Sequence, residues 1–225
     1  MKTVSAQQFR FSYANSNMYI IIEGRSALVI DPNISDEALD LLNSAKVEKL
    51  TILLTHEHYD HTSGLTWLAS KFDSIVICQE NTAASLKNGK NNRPVIIASN
   101  RMDKMSTSDI KDLVKTLPHG YHYDVDISFT DEYYFSWEGH DIRMVSCKGH
   151  SKGSCCIEID DGVVATGDSL ILNTPVITRL PGGSEEEYRT ITLPYLNRID
   201  KNTLILPGHG DTFYMKEEHN LNEKN

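Results

Sequence analysis

The chain has 225 residues, 40% hydrophobic and 24% charged, which suits a globular protein able to bury a core without disulfide or metal staples. Its net charge of −9 offers no basic excess to neutralise phosphates, so no nucleic-acid partner is expected. No apolar run approaches the roughly 18 residues of a membrane span, and the N-terminus has no apolar signal core, so a cytoplasmic protein without a membrane partner is expected.

Short apolar or alternating runs at 9–13, 18–22 and 27–30 read as strands, the third closed by Asp31-Pro32. Ser35 is placed to cap a helix over 36–44 with Ala38, Leu39, Leu41 and Leu42 on one face. A strand at 50–54 then delivers a histidine-rich segment at its C-terminal end. A helix is expected over 63–71, a strand over 75–78 and a helix over 81–86. Residues 88–124 read as an insertion with one amphipathic helix at 108–117, stopped by Pro118; it is either a lid over a site or a solvated excursion.

The second half returns to strands. Runs at 133–137 and 141–146 flank Glu138-Gly139-His140, and runs at 155–159 and 163–166 flank Asp160-Asp161-Gly162, two hairpin signatures. Ser184 with Glu187 makes a capping box for a helix to about Ile199, and the last strand spans 203–206. No repeat or long linker interrupts the chain, so one domain over 1–225 is expected. The cysteines, Cys78, Cys147, Cys155 and Cys156, lack metal-binding spacing and read as buried free thiols; on a strand, Cys155 and Cys156 would point to opposite faces.

The chemistry is concentrated at strand ends. His56, His58, Asp60 and His61 fall within Thr55-His56-Glu57-His58-Tyr59-Asp60-His61. Imidazole and carboxylate at this density suit zinc and other borderline divalent ions. His150 in Lys148-Gly149-His150-Ser151-Lys152-Gly153-Ser154, Asp168 in Thr166-Gly167-Asp168-Ser169, and His209 in Pro207-Gly208-His209-Gly210 each follow an apolar run and have glycine beside them.

In the order and spacing of these four segments, THEHYDH, KGHSKGS, TGDSL and PGHGD, the chain resembles the metallo-β-lactamase fold superfamily, and is most similar to its single-domain branch related to glyoxalase II (hydroxyacylglutathione hydrolase). The resemblance implies an α+β fold, a four-layered αββα sandwich with the site at one edge of two sheets. It implies that His56, His58 and His150 hold one metal ion, that Asp60, His61 and His209 hold a second, and that Asp168 bridges them. The cofactors expected are two divalent ions, zinc first, with iron or manganese as alternatives. The third-ligand loop departs from the Thr-Pro-Gly-His-Thr-Pro-Gly common in relatives, with Lys148 and Lys152 where prolines stand.

The chemistry expected is hydrolysis of a small thioester, ester or lactone by a metal-bridging hydroxide, with Asp60 also orienting it or handling its proton. The partner is then a small-molecule substrate. The alternatives are an iron-dependent persulfide dioxygenase-like oxidoreductase, disfavoured by the full second ligand set, and a nuclease of the same superfamily, disfavoured by the acidic balance. Substrate choice is expected in Tyr59, in 88–124 and in 171–183. Arg179, Lys148 and Lys152 either meet an anionic substrate or are plainly solvated. His119, His122, His140 and His219 read as ordinary polar residues, and the aromatics at 133–137 as strand packing.

Overall fold

The computed structural model describes residues 4–94, 106–118 and 120–216. Its strands form two six-stranded sheets. The first runs, in spatial and chain order, β1 (Gln7–Arg10), β2 (Asn17–Glu23), β3 (Ser26–Ile30), β4 (Lys49–Leu53), β5 (Asp73–Gln79) and β6 (Ile127–Phe129). It opens with an antiparallel meander and is parallel from β3 to β6. The second runs from β7 (Glu132–Trp137) through β8 (His140–Ser146), β9 (Cys155–Ile159), β10 (Val163–Gly167) and β11 (Leu204–Pro207) to β12 (Phe213–Tyr214), antiparallel except for β10 with β11.

Period-two alternation explains the layering, because successive side chains on a strand face opposite sides. Tyr19, Ile21, Leu28, Ile30, Leu53 and Ile77 of the first sheet meet Ile142, Met144, Ile157, Ile159 and Leu206 of the second in a shared core. Their alternates Ile20, Val29, Ile52 and Val76 face outward, against Ala38, Leu42, Leu65 and Leu68. Those residues come from helices α1 (Asp36–Ser44) and α3 (Leu65–Ala69). On the far side Val164 and Ile205 pack with Leu196. Helices thus cover both outer faces, the expected αββα sandwich. Each fully buried Leu or Ile contributes about 1.5–3 kcal/mol. Cys155 faces the inter-sheet core and Cys156 the outer one, and all four cysteines are buried and free. Among the described residues, no helix is long and apolar enough to cross a membrane.

Local signals held where they were local. The Ser35 hydroxyl accepts from the Ala38 amide, capping α1. Glu138 and Gly139 both take positive φ, 48° and 86°, in a two-residue hairpin turn, so His140 belongs to β8 rather than to the turn. Other expectations need correction. The helix expected at 63–71 is shortened to α3, and a separate helical turn not expected from sequence, α2 (Tyr59–Thr62), precedes it; between them the Gly64 amide turns away to the Pro32 carbonyl. α4 is Glu80–Leu86 and α5 is Thr107–Thr116.

The helix expected from Ser184 to Ile199 starts as α6 (Glu185–Glu187), widens into a π-turn over Tyr188–Thr192, and resumes as α7 (Leu193–Leu196). In a regular α-helix the Pro194 ring would strike the Thr190 carbonyl, which a wider turn relieves. The capping box is only half made. The Ser184 hydroxyl accepts from the Glu187 amide, but the Ser184 amide donates to the Gly149 carbonyl instead. Strands β6 and β12, too short to announce themselves in sequence, were not expected.

Candidate metal centre

β4, β8, β10 and β11 all end at the same edge of the sandwich, and their following loops carry the histidines and aspartates. The two sheets are tied together there by the Cys155 amide on the Thr55 carbonyl and the Asn17 amide on the Gly208 carbonyl. All seven residues singled out from the sequence converge on this edge. His56, His58 and His150 form one group with ligand atoms within 4.8 Å of one another, and Asp60, His61 and His209 form another. His58 Nδ1 lies 3.1 Å from His56 Nε2 and 2.9 Å from His150 Nε2. Asp168 stands between the groups. Its carboxylate oxygens lie 3.6 Å from His150 Nε2, 3.4 Å from His61 Nε2 and 3.5 Å from His209 Nε2.

The rings of His56, His61 and His150 are held with one nitrogen bonded backward and the other presented to the centre. His150 Nδ1 donates to the Ile177 carbonyl, 2.9 Å away. His61 Nδ1 donates to Asp31 Oδ2 at 2.9 Å. Asp31 also accepts the Thr55 amide at 2.7 Å and the Thr55 hydroxyl at 2.6 Å, which leaves that hydroxyl oxygen to accept from His56 Nδ1 at 3.0 Å. One buried carboxylate therefore orients a histidine from each group, as outer carboxylates do for metal-bound imidazoles. Asp31 sits at φ 53°, a left-handed conformation that costs an aspartate about 1 kcal/mol or more and is offset by these three bonds. A third geometric cluster, Asp31, His56 and His61, arises from the same arrangement. The sequence marked Asp31 only as a strand end; an acidic residue closing the strand next to the histidine-bearing one was the available signal.

The donor set fits metal ions. His61 Nε2 and Asp168 Oδ1 are buried without a hydrogen-bond partner. With Nδ1 bonded to Asp31, His61 Nε2 faces a carboxylate oxygen 3.4 Å away, an arrangement that calls for a cation between them, a proton in the metal-free chain or a metal ion in its place. Gly208 makes room for it, since a Cβ there would sit 2.1 Å from Asp168 Oδ1 and 2.9 Å from His61 Cε1.

The electrostatics divide the groups. Burial, reinforced by neighbouring histidines, holds His56 well below its usual pKa, and burial brings His150 to about 4. Burial also opposes protonation of His61 and His209, but the facing carboxylates outweigh it and lift them to about 9 and about 10. Burial would likewise raise Asp60, yet His61 and His209 hold it at about 2. Positive charge is thus favoured on the aspartate side. His56, His61 and His150 are buried, while His58, Asp60, Asp168 and His209 stay partly exposed, so both groups reach solvent.

Several expectations about specificity change. Tyr59 is buried with Phe11, Leu113 and Leu117 and donates to the Pro118 carbonyl at 2.6 Å, so it anchors the 107–124 segment rather than facing a substrate. Tyr121 does the same through the Thr62 carbonyl. The part of the expected lid at 95–105 lies outside the described residues, as do His119 and His219. Segment 171–183 packs over the His150 loop, with Arg179 and Lys152 exposed and Lys148 half-buried beside it. His122 Nδ1 bonds the Lys87 carbonyl, an ordinary polar contact. His140 is not ordinary. It is buried, far from the centre, between Asp160 at 2.7 Å and Glu23 at 3.3 Å. The aromatics of β7 do pack, except Tyr134, which is exposed.

The sequence model of the metallo-beta-lactamase superfamily matches residues 13–209. A Streptococcus pyogenes protein named as a probable metallo-hydrolase is 26% identical over 212 residues, covering 93% of this chain and 85% of its own. A hydroxyacylglutathione hydrolase of Nitrosomonas europaea is 34% identical, but over 62 residues only, 28% of this chain and 24% of its own. Among solved structures, the BLEG-1 B3 metallo-beta-lactamase superposes with a TM-score of 0.73 at 22% identity, covering 94% of both chains. TTHA1623, in a di-iron-bound form, gives 0.70 at 20% identity over 93% of this chain and 94% of its own. ETHE1 from Myxococcus xanthus gives 0.67 at 17% identity over 97% and 83%. At these identities the structural likenesses speak to the fold alone. The family match over most of the length, on a fold and a histidine–aspartate cluster of this layout, identifies the chain as a member of the metallo-beta-lactamase superfamily.

Proposed function

We propose that this protein is a binuclear metal-dependent hydrolase of a small thioester, ester or lactone. The observation that carries the reading is Asp168, whose carboxylate faces His150 on one side and both His61 and His209 on the other. His56, His58 and His150 would hold one divalent ion and Asp60, His61 and His209 the other, with zinc the first candidate for a site of imidazole and carboxylate. When bound, such a pair lowers the pKa of a coordinated water from 15.7 toward about 7 and polarises a carbonyl oxygen.

The chain supplies the rest. Asp31, Thr55 and the Ile177 carbonyl fix ring orientation, so no reorganisation is required when charge develops. Asp60 is partly exposed, 3.5 Å from His209 and 3.7 Å from His61, where its carboxylate, held ionised, can accept a hydrogen bond from an attacking water and align it. Buried His56, His61 and His150 form the floor of the centre. The complete second set of ligands favours this over a single-iron oxidoreductase, and the net charge of −9 disfavours a nuclease.

The test is turnover of a panel of thioesters, esters and lactones by zinc-loaded protein. Activity on at least one member, falling by about 10³-fold or more in His58→Ala, is expected. Oxygen uptake with a persulfide by protein holding a single iron, and no ester turnover, would replace this reading with the oxidoreductase.

A further inference from the structure

Glu57 sits between two of the histidines, yet its side chain leaves the ring cluster and reaches the loop that carries His150. Its Oε2 accepts the Ser151 hydroxyl at 2.8 Å. Ser151 is the residue after His150, and it is fully buried. The Ser151 hydroxyl oxygen in turn lies 2.9 Å from Ser154 Oγ, which accepts the Ser151 amide at 3.1 Å. Proton donation therefore runs in one direction, from Ser154 to Ser151 to the carboxylate. Thr82, in the first turn of α4, shares its single hydroxyl proton between the Gly153 carbonyl at 3.1 Å and Glu57 Oε2 at 3.3 Å. The packing is tight enough to dictate residue 153: a Cβ there would sit 2.5 Å from Glu57 Oε2 and 2.2 Å from Thr82 Oγ1.

One carboxylate thus joins three separate chain segments around the His56, His58 and His150 group, and makes no such link to Asp60, His61 or His209. We propose that Glu57 is a positioning residue that sets the register of the His150 loop against the His56–His58 segment, and so tunes the affinity of that one metal position. The proposal rests on the binuclear reading above. Nothing about a glutamate between two histidines announces this; the link depends on a loop almost a hundred residues away.

The experiment is zinc titration against a chromophoric chelator in two backgrounds. His209→Ala leaves only the His56, His58 and His150 position complete, and His150→Ala leaves only the other. Glu57→Ala is expected to weaken zinc about 10–100-fold in the first background, the usual cost of losing an outer partner of a metal ligand, and less than about 3-fold in the second. Glu57→Gln, whose amide oxygen can still accept from Ser151, restores affinity to within about 3-fold. Equal losses in both backgrounds, or none in either, overturn the proposal. If Glu57→Ala does not fold, Ser151→Ala breaks the same link from the other side, with the same selective loss expected. A parent chain that binds no zinc refutes the binuclear reading and the proposal with it; a parent that binds two, with Glu57→Ala unchanged, refutes the proposal alone.

Discussion

Replacing Asp31 by Asn changes one atom and should disable both metal positions. In the native arrangement Oδ1 accepts the Thr55 amide, while Oδ2 accepts the Thr55 hydroxyl and His61 Nδ1. An asparagine has one acceptor oxygen and one donor group. If its oxygen takes the Oδ2 place, its NH2 opposes the Thr55 amide, two buried donors face to face, at a cost of about 1–3 kcal/mol. If the oxygen takes the Oδ1 place, the NH2 donates to Thr55 Oγ1 and His61 Nδ1. Thr55 must then donate to His56 Nδ1, since the two atoms are 3.0 Å apart. Both histidines would carry their proton on Nε2, the atom each presents to the centre.

The asparagine tolerates the left-handed backbone, so the chain should still fold. The expected result for Asp31→Asn is zinc affinity lowered about 10–100-fold at both positions. The metal-free protein should melt about 2–10 °C lower. Chelator-competition titration and thermal unfolding without metal measure the two effects. A folded Asp31→Asn protein that binds two zinc ions as tightly as the parent would refute the tautomer argument.

Two other substitutions probe separate parts of the account. Gly208→Ala puts a methyl group 2.1 Å from Asp168 Oδ1, so it should displace that carboxylate and lower zinc affinity at least about 10-fold, with about 1–3 kcal/mol of lost stability; metal titration and chemical denaturation check it, and unchanged affinity would contradict the assigned place of Asp168. His140 answers to pH. Burial opposes its protonation, but Asp160 and Glu23 outweigh it and raise its pKa. A raised folded pKa means the stabilisation is fully present below the unfolded value of about 6.5 and is lost as pH rises through the folded one. Wild type should therefore exceed His140→Gln in stability by about 1–3 kcal/mol at pH 6, with a smaller margin at pH 9. A margin that is flat or grows with pH would count against the ion pair.

What the sequence disclosed was whatever one segment carries by itself. The histidine spacing from 56 to 61, the cap at Ser35 and the hairpin turn at Glu138-Gly139 all act within a few residues, and they stand where they were expected. Asp31 acts through register. Pairing of Ile30 with Leu53 brings Asp31 beside Thr55, and only that neighbourhood turns a strand-end aspartate into the orienting carboxylate. Tyr59 looked like a substrate-facing residue because it lies inside the motif, but α2 winds it away to the 107–124 segment. His140 read as bland because its two carboxylate partners come from β2 in the other sheet and from the β9–β10 loop. The π-turn accommodates Pro194, and its Thr192 hydroxyl donates to the Lys148 carbonyl of the His150 loop, a contact no local pattern encodes.

The most direct test of the central claim is metal content per chain by elemental analysis, after loading with zinc and removing free metal, for the parent and for His58→Ala and His209→Ala. The account predicts close to two zinc ions in the parent and close to one in each variant. A parent that retains one ion or none, or variants that retain two, would contradict a binuclear centre built from these residues.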